Sequence, residues 1–599
     1  MLYIGLGKEK AGLICQSYRG KEKMTKFENT FRYKLIYVFR INDEAHKGLL
    51  KIGEATCNTE KSPEELAPCC NTLNVAAKER INQYTVTAGI VYELLYTELA
   101  IRKVEKNGKT SIEAFSDHDV HKVLKRSNIS VHNFQTDKNP NEWFEINLET
   151  TKNAIKAVKE NRASLASSEV SAGNDPIIFR PEQEEAIRKT IKQLRTGNQM
   201  LWNAKMRFGK TLTALQVAKE CGFTHILILT HRPVVSEGWY EDFGKIFYDT
   251  DYIFGSKTRG ENIEKLAGTD KKFVYFASMQ DLRGSDAVGG RFNKNDEIFL
   301  TEWDFVVIDE AHEGTLTKLG QAVINTIKEL SKNPKILRLS GTPFNLLDQF
   351  REDEIYTWDY VMEQKAKTDW YKNHFGEHNP YETLPELKIY TYNLDKIIPG
   401  YIDVEDGAFN FREFFRTWTG NVKKDFKAMP EGVNVGDFVH KGDVNRFLDL
   451  LCKEDENSNY PFSTARFRAY FRHSLWMVPG VKEARALSAL LKEHTVFGSG
   501  AFNIVNVAGS GDEEIASRDA LSAVRNAFGD NPDETYSITI SCGRLTTGVT
   551  VPEWTAVFML AGTFSTSASS YMQTIFRVQS PANINGKVKE SCCIFDFAP

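Results

Sequence analysis

The sequence predicts an α/β protein built largely on doubly wound parallel sheets, and both its apolar pattern and its length support this fold class. Short continuous apolar runs recur between residues 225 and 341, among them HILILT (225–230), KFVYFAS (272–278), DFVVIDE (304–310) and KILRLSG (335–341). Helical patterns separate these runs, as they do where helices cover both faces of a buried parallel sheet. A chain of 599 residues is also too long for one hydrophobic core, so several domains are expected.

Composition limits the functional classes only loosely. The chain is 41% hydrophobic and 26% charged, which is ordinary for a folded soluble protein. Its net charge of −4 neither requires nor excludes nucleic acid, so a DNA-binding surface would have to be a local patch. The nine cysteines form no CxxC pair, which argues against a zinc ribbon or a secreted disulfide framework and predicts a cytoplasmic location. No apolar run reaches transmembrane length.

One boundary is visible in the sequence. The stretch NRASLASSEVSAGND (161–175) is rich in Ser, Ala and Gly, lacks aromatic residues and is typical of a linker. Met24 lies shortly before the first strand-like run and offers an alternative start for the chain. The expected divisions are an N-terminal extension (1–30), a small α+β domain (31–160), the linker (161–175), a first α/β lobe (176–345), an inserted or bridging segment (346–470) and a second lobe (471–599).

The stretch LWNAKMRFGKTLTA (201–214) ends like a phosphate-binding loop. The Walker pattern G-x-x-x-x-G-K-[ST] places its first glycine on Ala204, and Arg207 lies inside the loop. An apolar strand precedes the loop and a helical pattern follows it. In that context Gly209 and the backbone N–H groups would hold phosphates, Lys210 would reach the β and γ oxygens, and Thr211 would ligate Mg²⁺.

Two other motifs support a nucleotide site, because a GKT triplet alone is more often a chance match. VVIDEAH (306–312) ends a strand with Asp309 and Glu310, followed by His312. Asp309 can hold the Mg²⁺ shell, and Glu310 can orient or deprotonate the attacking water. In FRPEQEEAI (179–187), Arg180 and Gln183 precede the first helix, where an adenine could be bound. ATP and Mg²⁺ are therefore the expected cofactors.

These motifs resemble, in order, those of superfamily 2 DEAH-type helicases and translocases. The chain is most similar to the restriction-associated and phage-encoded branch, in which RFGKT is an accepted loop. The resemblance implies two RecA-like lobes, and the family usually continues beyond the point at which this sequence stops. The matching stretches are AKMRFGKT (204–211), THRPVVSEGW (230–239), FASMQDLRG (276–284), DEAH (309–312), SGTP (340–343), TWDY (357–360), HSLWMVPGVKEARALSALL (473–491), GRLTTGVTVPEW (543–554) and YMQTIFRVQSP (571–581).

The resemblance also implies roles for residues of the second lobe. Arg577 would act as an arginine finger on the transferring phosphoryl group, and Gly548 would lie near ATP. The fuller family pattern has a second arginine where this sequence has Ser580, so Arg577 would act alone or with Arg544. Ser340 and Thr342 would couple the phosphate site to the nucleic acid. The residues expected to contact nucleic-acid phosphates are Arg232, Ser278, Gln280, Thr546 and Thr547.

The segment between the lobes does not resemble a RecA lobe. It contains FNFREFFRTW (409–418), in which arginines and aromatic residues interleave. Such a pattern could stack bases, but a core stripe with exposed arginines is the more common origin.

A weaker resemblance concerns residues 31–160, which are similar to the GIY-YIG nuclease superfamily. YKLIYVFRI (33–41) and LLKIGEAT (49–56) are strand-like, and AAKERINQY (76–84) is helical. Tyr37 matches the first motif tyrosine, Lys51 replaces the second, and Arg80 matches the helix arginine. Asp117, four residues before His121, occupies the place of the usual metal-binding glutamate, and NEWFEI (141–146) matches a closing motif.

Each of these residues also has a purely structural interpretation. In a nuclease, Asp117 would hold a metal, Tyr37 would activate water and Arg80 would stabilise negative charge. Otherwise Tyr37 would be a half-buried strand residue, Arg80 part of a solvated helix face and Asp117 a helix N-cap. As a set they favour the GIY-YIG-like fold, while cleavage and DNA binding without cleavage both remain open. Lys122, Lys125 and Arg126 are expected either to contact phosphates or to form a solvated face.

The sequence thus predicts an ATP-dependent DNA helicase or translocase coupled to a GIY-YIG-type endonuclease, acting in restriction or phage DNA processing. The alternative is a helicase with a non-cleaving DNA-binding module that acts in replication or repair. Single- or double-stranded DNA is the expected partner, and no membrane is expected. Whether a methyltransferase or another defence-system subunit also binds is left open.

Overall fold

We analysed a computed structural model of the chain. None of the helices in the part of the chain that it describes is long and apolar enough to cross a membrane. The structure describes residues 27–597 apart from 87–88, 107–108, 133, 135–141, 166–176, 231–235, 268–269, 293, 312–317, 333, 375–378, 395–397, 402–408, 455–459, 510–519, 544, 546–548 and 562–567.

The N-terminal domain is a small antiparallel sheet covered by helices on both faces. Its central strand, β1, is buried along almost its whole length, because it pairs with β2 on one side and β3 on the other. Helix α1 covers one face, and α2 and α3 cover the other. The elements are β1 (Phe31–Ile41), β2 (Leu49–Cys57), α1 (Asn71–Thr85), β3 (Tyr92–Leu99), β4 (Ile101–Lys106), β5 (Lys109–Ala114), α2 (Asp117–Arg126), β6 (Trp143–Glu145) and α3 (Leu148–Lys159), with 3₁₀ turns at Glu44–His46 and Pro63–Glu65.

Helix α2 begins with a capping box. The hydroxyl of Ser116 accepts a hydrogen bond from the backbone N–H of Asp119, and the Asp119 carboxylate accepts one from the N–H of Ser116. The N-cap is therefore Ser116, and the interpretation of Asp117 as the cap is wrong. Asp117 is instead the first residue of the helix, and its side chain is buried.

The first lobe contains a parallel seven-stranded sheet in the order β13-β7-β12-β11-β8-β10-β9. Its strands are short apolar runs, and two separate hydrophobic clusters cover its two faces. The elements are α4 (Pro181–Thr196), β7 (Gln199–Ala204), α5 (Lys210–Cys221), β8 (His225–Thr230), α6 (Ser236–Ile246), β9 (Ile253–Ser256), α7 (Ile263–Leu266), β10 (Phe273–Ser278), α8 (Met279–Leu282), α9 (Asp296–Leu300), β11 (Phe305–Asp309), α10 (Lys318–Leu330), β12 (Lys335–Ser340) and β13 (Ile355–Trp358), with 3₁₀ turns at Asp286–Val288, Leu347–Gln349 and Glu352–Glu354.

The bridging segment contributes one strand to each lobe. Strand β13 extends the first sheet by pairing with β7, and β14 extends the second by pairing with β21. The first lobe therefore continues past residue 345, where the sequence interpretation ended it. These short edge strands lack the continuous burial of central strands: β13 alternates more and less buried residues, and the residues of β14 are all half-buried or exposed. The segment's other elements are α11 (Tyr360–Asn373), β14 (Glu386–Thr391), α12 (Phe411–Phe414), α13 (Val422–Asp425), α14 (Lys441–Cys452) and α15 (Ala465–Tyr470).

The second lobe is also a parallel sheet, in the order β14-β21-β18-β15-β17-β16. Two parallel lobes preceded by a small mixed domain confirm the predicted α/β fold class. The elements are β15 (His473–Met477), α16 (Val481–Glu493), β16 (Phe502–Asn506), α17 (Ala520–Phe528), β17 (Tyr536–Ser541), β18 (Ala556–Met559), α18 (Ala568–Ile575), β19 (Asn583–Ile584), β20 (Lys587–Lys589) and β21 (Ser591–Asp596).

The aromatic residues of FNFREFFRTW belong to the core of the second lobe. Phe411, Phe414 and Phe415 have no exposed surface, and Trp418 is 3% exposed. They pack with residues of α14 and with each other. Base stacking on this stretch is therefore wrong as an interpretation, and the aromatic spacing reflects burial.

The second lobe also completes the N-terminal sheet. Strand β20 pairs antiparallel with the beginning of β1, and β19 pairs with β20. Just before β1, Phe27 inserts its ring among Tyr390, Phe471 and Phe595 of the second lobe. The N-terminal domain is thus tied to the second lobe by backbone hydrogen bonds and by a shared core.

The buried imidazole of His473 leads to a prediction about stability. Its Nε2 donates to the Pro532 carbonyl at 2.8 Å and its Nδ1 lies 2.9 Å from the Ser537 hydroxyl. Burial lowers the pKa of His473 from 6.5 to about 4, so the unfolded chain binds a proton in this interval that the folded chain excludes. The stabilisation is complete above the unfolded pKa and is lost as the pH falls toward 4.

We expect His473→Gln to lower the melting temperature near pH 7 and to have a smaller effect, relative to the parent, near pH 4.5. Glutamine cannot take up the proton that destabilises the parent. Differential scanning calorimetry of both proteins across this pH interval measures the difference, and a gap that stays constant with pH would contradict the assignment.

Candidate functional site

The loop that resembles a phosphate-binding loop joins the carboxyl end of β7 to the start of α5. We call residues 205–209 the phosphate loop. Arg207 and Gly209 have φ angles of 71° and 88°, so the chain turns through the left-handed region twice before the helix begins. The ammonium of Lys210 donates to the Ala204 carbonyl at 2.9 Å and thereby closes the loop. Thr211 follows on the first turn of α5 and is partly exposed.

Arg180, the N-cap of α4, and Gln183, in the first turn of α4 and not before the helix as the sequence suggested, hold the phosphate loop. The Gln183 amide donates to the Phe208 carbonyl at 2.7 Å and accepts from the Arg180 N–H at 2.8 Å. The Arg180 guanidinium donates to the same Phe208 carbonyl at 2.7 Å. A Cβ on Gly209 would lie 2.5 Å from the Gln183 amide nitrogen, so only glycine fits there. Arg180 and Gln183 shape the loop, and adenine binding by them stays a prediction.

Asp309 ends β11 on the same edge of the sheet, with β12 between it and β7. Desolvation, followed by the neighbouring Glu310 charge, raises the pKa of Asp309 to about 6, while Lys210 acts in the opposite direction. The indole N–H of Trp239 donates to the Asp309 carboxylate at 3.3 Å. Sequence analysis did not single out this tryptophan, which orients the carboxylate.

The donor groups beside the phosphate loop are of the kind that binds a divalent cation. Carboxylate and hydroxyl oxygens are the ligands that such hard cations take, and Asp309 and Thr211 supply them. Lys210 is close enough to Asp309 to act on its pKa. A Cβ added to Gly341, at the end of β12, would lie 3.8 Å from the Lys210 nitrogen. Lys210, Asp309 and Glu310 therefore lie close together at one sheet edge, while their roles in nucleotide binding stay predictions.

Side chains of the phosphate loop cross to the second lobe. Arg207 donates to the hydroxyls of Thr550, at 3.2 Å, and Ser580. Arg207 therefore contacts the second lobe, and binding of phosphate by Arg207 stays a prediction. Ser580 stands where the fuller family pattern has a second arginine. Here the Ser580 hydroxyl accepts a hydrogen bond from Arg207 of the phosphate loop.

Lys205, the first residue of the phosphate loop, makes the deepest of these contacts. Its ammonium lies 2.9 and 3.0 Å from the two carboxylate oxygens of Glu363 and 3.0 Å from the side-chain oxygen of Gln579. Burial lowers the pKa of Lys205. Sequence analysis missed all three residues, because the loop pattern leaves this position unspecified and no local signal joins it to Glu363.

Arg577 is buried within the second lobe. Its guanidinium donates to the Val549 carbonyl at 2.6 Å, and the residue is 4% exposed. Nearby, the hydroxyls of Thr342 and Ser569 lie 2.7 Å apart, and the Gln573 amide is 3.5 Å from Thr342. The SGTP and YMQTIFRVQSP stretches thus touch across the lobes, while the finger role of Arg577 stays a prediction.

The predicted nucleic-acid residues are only partly described. Ser278 ends β10 on the same sheet edge as the phosphate loop, and Gln280 is exposed in α8. This placement leaves Gln280 accessible to a ligand along that edge. Arg232, His312, Thr546, Thr547 and Gly548, together with Arg544, lie outside the described residues.

In the N-terminal domain, the side chains of Tyr37 and Arg80 are less exposed than a half-buried strand residue and a solvated helix residue would be. Tyr37 is 3% exposed, and its ring packs on Gly53 so closely that a Cβ there would lie 2.6 Å from the phenol oxygen. The Arg80 guanidinium is 3.1 Å from the Glu382 carboxylate of the bridging segment and also donates to Gln83. Descriptions of Tyr37 as half-buried and of Arg80 as solvated are therefore wrong.

Asp117 lies in a buried group of charges. The Lys34 ammonium contacts the Glu54 carboxylate at 2.5 Å, and Glu54 accepts the Asp117 backbone N–H at 3.1 Å. Desolvation and the charges of Glu54 and Glu142 raise the pKa of Asp117 well above its ordinary value.

These surroundings do not fit the metal predicted at Asp117. Its side chain is only 2% exposed, and burial favours the protonated acid over the carboxylate that a metal requires. No group of three or more His, Cys, Asp or Glu side chains among the described residues is arranged to hold a metal ion. Lys51, which replaces the second motif tyrosine, pairs with Glu142 at 3.0 Å.

A comparison with known protein families finds a match over the first lobe, which contains the phosphate loop and Asp309. Residues 176–345 match the family "Type III restriction enzyme, res subunit". This res-like segment spans α4, the phosphate loop, Asp309 and Glu310, and it ends just after β12.

Other relatives cover more of the chain. A Mycoplasma pneumoniae protein described as "Putative type II restriction enzyme and methyltransferase RM.MpnORF110P C-terminus" is 29% identical over an alignment of 481 residues, and the match covers 70% of this chain and 64% of that protein. The chain therefore spans less than two thirds of this relative. The solved DNA-bound Type ISP restriction-modification enzyme LlaBIII has a TM-score of 0.42 at 14% identity, covering 70% of this chain and 28% of its own. Escherichia coli DEAH/RHA helicase HrpB has a TM-score of 0.37 at 12% identity, with 69% and 42% covered.

The bonds around Gln183 predict a selective effect on nucleotide affinity. We expect Gln183→Ala to weaken ATP binding about tenfold, because the loop loses a brace of roughly the strength of one buried hydrogen bond. Gln183→Glu keeps the acceptor for Arg180 and loses the donor to Phe208, so it should show a similar defect. Titration with a fluorescent ATP analogue measures both, and parent-like affinity in both variants would contradict the bracing role.

Proposed function

We propose that this protein is an ATP-dependent DNA translocase or helicase that acts in restriction of foreign DNA. The observation that carries the proposal is the meeting of Lys210, Asp309 and Glu310 at one edge of a parallel sheet, in a lobe whose phosphate loop also contacts the second lobe. The res-like segment supports the restriction context.

The proposed chemistry uses residues of both lobes. Lys210 and the N–H groups that begin α5 bind the β and γ phosphates, and Glu310 orients the attacking water and accepts its proton. Arg577 stabilises the charge that develops on the transferring group. A divalent cation, held by Asp309 and Thr211, supplies charge neutralisation on the phosphates when bound. Mg²⁺ is the proposed ion.

DNA is proposed to run along the sheet edge that carries Ser278 and Gln280. Arg232, Thr546 and Thr547 are proposed to contact its phosphates, which position the strand without selecting a sequence. The relative described as a restriction enzyme and methyltransferase makes a methyltransferase a proposed partner.

The N-terminal domain is proposed to be a GIY-YIG-like DNA-binding module. Its hairpin of β1 and β2, the packing of Tyr37 on Gly53 and the position of Arg80 support this assignment. Endonucleolytic cleavage is a second candidate function, favoured by the contact between Tyr37 and Gly53. The burial of Asp117 favours binding without cleavage.

Two substitutions in the phosphate site test the motor. Lys210→Ala should abolish DNA-stimulated ATP hydrolysis by removing the phosphate ligand. Glu310→Gln should reduce the turnover number at least about a hundredfold, since it removes the general base but keeps the size of the side chain. Phosphate release with and without duplex DNA is the measurement.

Measurements of nucleotide affinity distinguish phosphate binding by Lys210 from the general-base role of Glu310. Glu310→Gln should bind the ATP analogue like the parent, whereas Lys210→Ala should bind it weakly. Lys365→Met, an exposed change in α11, provides a control for expression and folding. Hydrolysis at the parent rate in either site variant would refute the proposed function.

A second pair of substitutions tests the N-terminal module. The Glu382 carboxylate lies where it can compete with a DNA phosphate for Arg80, so Glu382→Gln should tighten DNA binding about threefold to tenfold. Arg80→Ala should weaken it. Fluorescence anisotropy without nucleotide measures both, and Glu79→Gln, an exposed change of the same charge in the same helix, is the control.

The outcomes distinguish the candidate functions of the domain. If Arg80→Ala and Glu382→Gln change the affinity for DNA, and the protein does not cut plain, branched or modified duplexes, the domain is supported as a DNA-binding module. Cation-dependent cutting that survives Lys210→Ala but is lost in Tyr37→Phe and Arg80→Ala would establish the nuclease. Unchanged affinity in both Arg80→Ala and Glu382→Gln would remove this surface from DNA binding.

A further inference from the structure

A buried polar group joins three parts of the chain that are distant in sequence. Lys205 comes from the phosphate loop, Glu363 from α11 of the bridging segment, and Gln579 from the turn after α18. The side chains of Lys205 and Glu363 are 3% and 0% exposed, and Gln579 is 1% exposed. A charge pair removed so fully from water must be held by specific partners.

Every member of this group has more than one bond. Lys205 donates to Glu363 and to Gln579, and its ammonium lies 5.3 Å from the centre of the Phe576 ring. The Gln579 amide in turn donates to the Pro385 carbonyl at 2.8 Å and lies 3.4 Å from Glu363. The contacts therefore fix the orientation of each side chain as well as its position.

The group also holds the backbone of the phosphate loop. The Lys205 N–H donates to the Trp358 carbonyl at 2.9 Å, at the end of β13, and α11 begins two residues later. The loop is thus tied to Glu363 through both the main chain and the side chain of one residue. In the second lobe, the group lies close in sequence to Arg577, because Gln579 follows Arg577 by two residues.

Stability alone explains such a pair poorly. Buried ion pairs add little to stability compared with apolar residues of similar volume, although loss of one partner is strongly destabilising. A group of this kind is better explained by the fixed arrangement that it imposes. Here the arrangement sets the phosphate loop against the turn that carries Arg577.

We propose that Glu363 is a positioning residue for ATP hydrolysis, which holds Lys205 of the first lobe and Gln579 of the second lobe in fixed relation across the nucleotide site. This role rests on the proposed ATPase function. The Glu363 side chain has no exposed surface. Its effect reaches the reaction through the phosphate loop on one side and the placement of Arg577 on the other.

The test uses the full chain and saturating duplex DNA. Glu363→Gln removes the charge but keeps the shape, so we expect the kcat for ATP to fall about tenfold to a hundredfold while KM changes less than about threefold. Lys205→Met should behave similarly. Lys365→Met, which removes an exposed lysine from α11, should retain parent kinetics.

The double variant Lys205→Met/Glu363→Met separates positioning from stability. It leaves no unpaired buried charge, so its melting temperature should recover relative to Lys205→Met. Its kcat should stay low, because Gln579 has lost its partners in the first lobe. Recovery of kcat together with the melting temperature would show a merely structural role and would overturn the proposal.

The other possible outcomes test the positioning role and the ATPase function separately. Parent-like kcat in Glu363→Gln overturns the positioning role and leaves the ATPase intact. Absence of DNA-stimulated hydrolysis in both the parent and Lys365→Met overturns the proposed function itself and the positioning role with it. If Glu363→Gln does not fold, the double variant supplies the comparison.

Discussion

The contact between the phosphate loop and the turn after α18 is the interaction on which the arrangement of the two lobes depends. Lys205 and Arg207 cross from the first lobe to Gln579 and Ser580 of the second. Because these bonds are buried or largely buried, the lobes cannot shift without breaking charged hydrogen bonds in a poorly solvated place. The nucleotide site and the join between the lobes are therefore made by the same few residues.

The bridging segment gives this contact a rigid support. It adds an edge strand to each sheet, supplies Glu363 through α11 and supplies Glu382 to the N-terminal domain. The Tyr381 hydroxyl donates to the buried carboxylate of Glu182 at 2.6 Å, and Glu182 also accepts from Arg180, which holds the phosphate loop. A continuous set of hydrogen bonds thus runs from the phosphate loop to the residue beside Glu382.

The N-terminal domain is held to the second lobe at the beginning of its first strand. Before β1, Phe27 packs in the core of the second lobe, and along β1 the strand β20 adds backbone hydrogen bonds. The sheet that carries Tyr37 is therefore joined to the second lobe by both backbone pairing and a shared core. This connection would let the proposed DNA-binding module respond to the proposed motor.

Much of the first lobe was predictable because its signals are local. Central parallel strands are short apolar runs, and the GKT and DEAH motifs lie at strand ends, where backbone geometry brings them together. The edge strands β13 and β14 were not predictable from the sequence, since short alternating patterns like theirs also occur in many loops. Asp117 shows the same limit in the site, because four-residue spacing from His121 gives no information about the burial imposed by Glu54 and Glu142.

By itself the sequence determined the α/β class, the order of the motifs and the meeting of Lys210, Asp309 and Glu310 at one sheet edge. These depend on strand periodicity and on residues placed at strand ends. Only the tertiary structure decided that Arg207 contacts the second lobe, that Lys205 pairs with Glu363 and that Arg80 pairs with Glu382. Each of these contacts joins residues more than a hundred positions apart, and their partners are set by how the lobes pack, for which no local pattern exists.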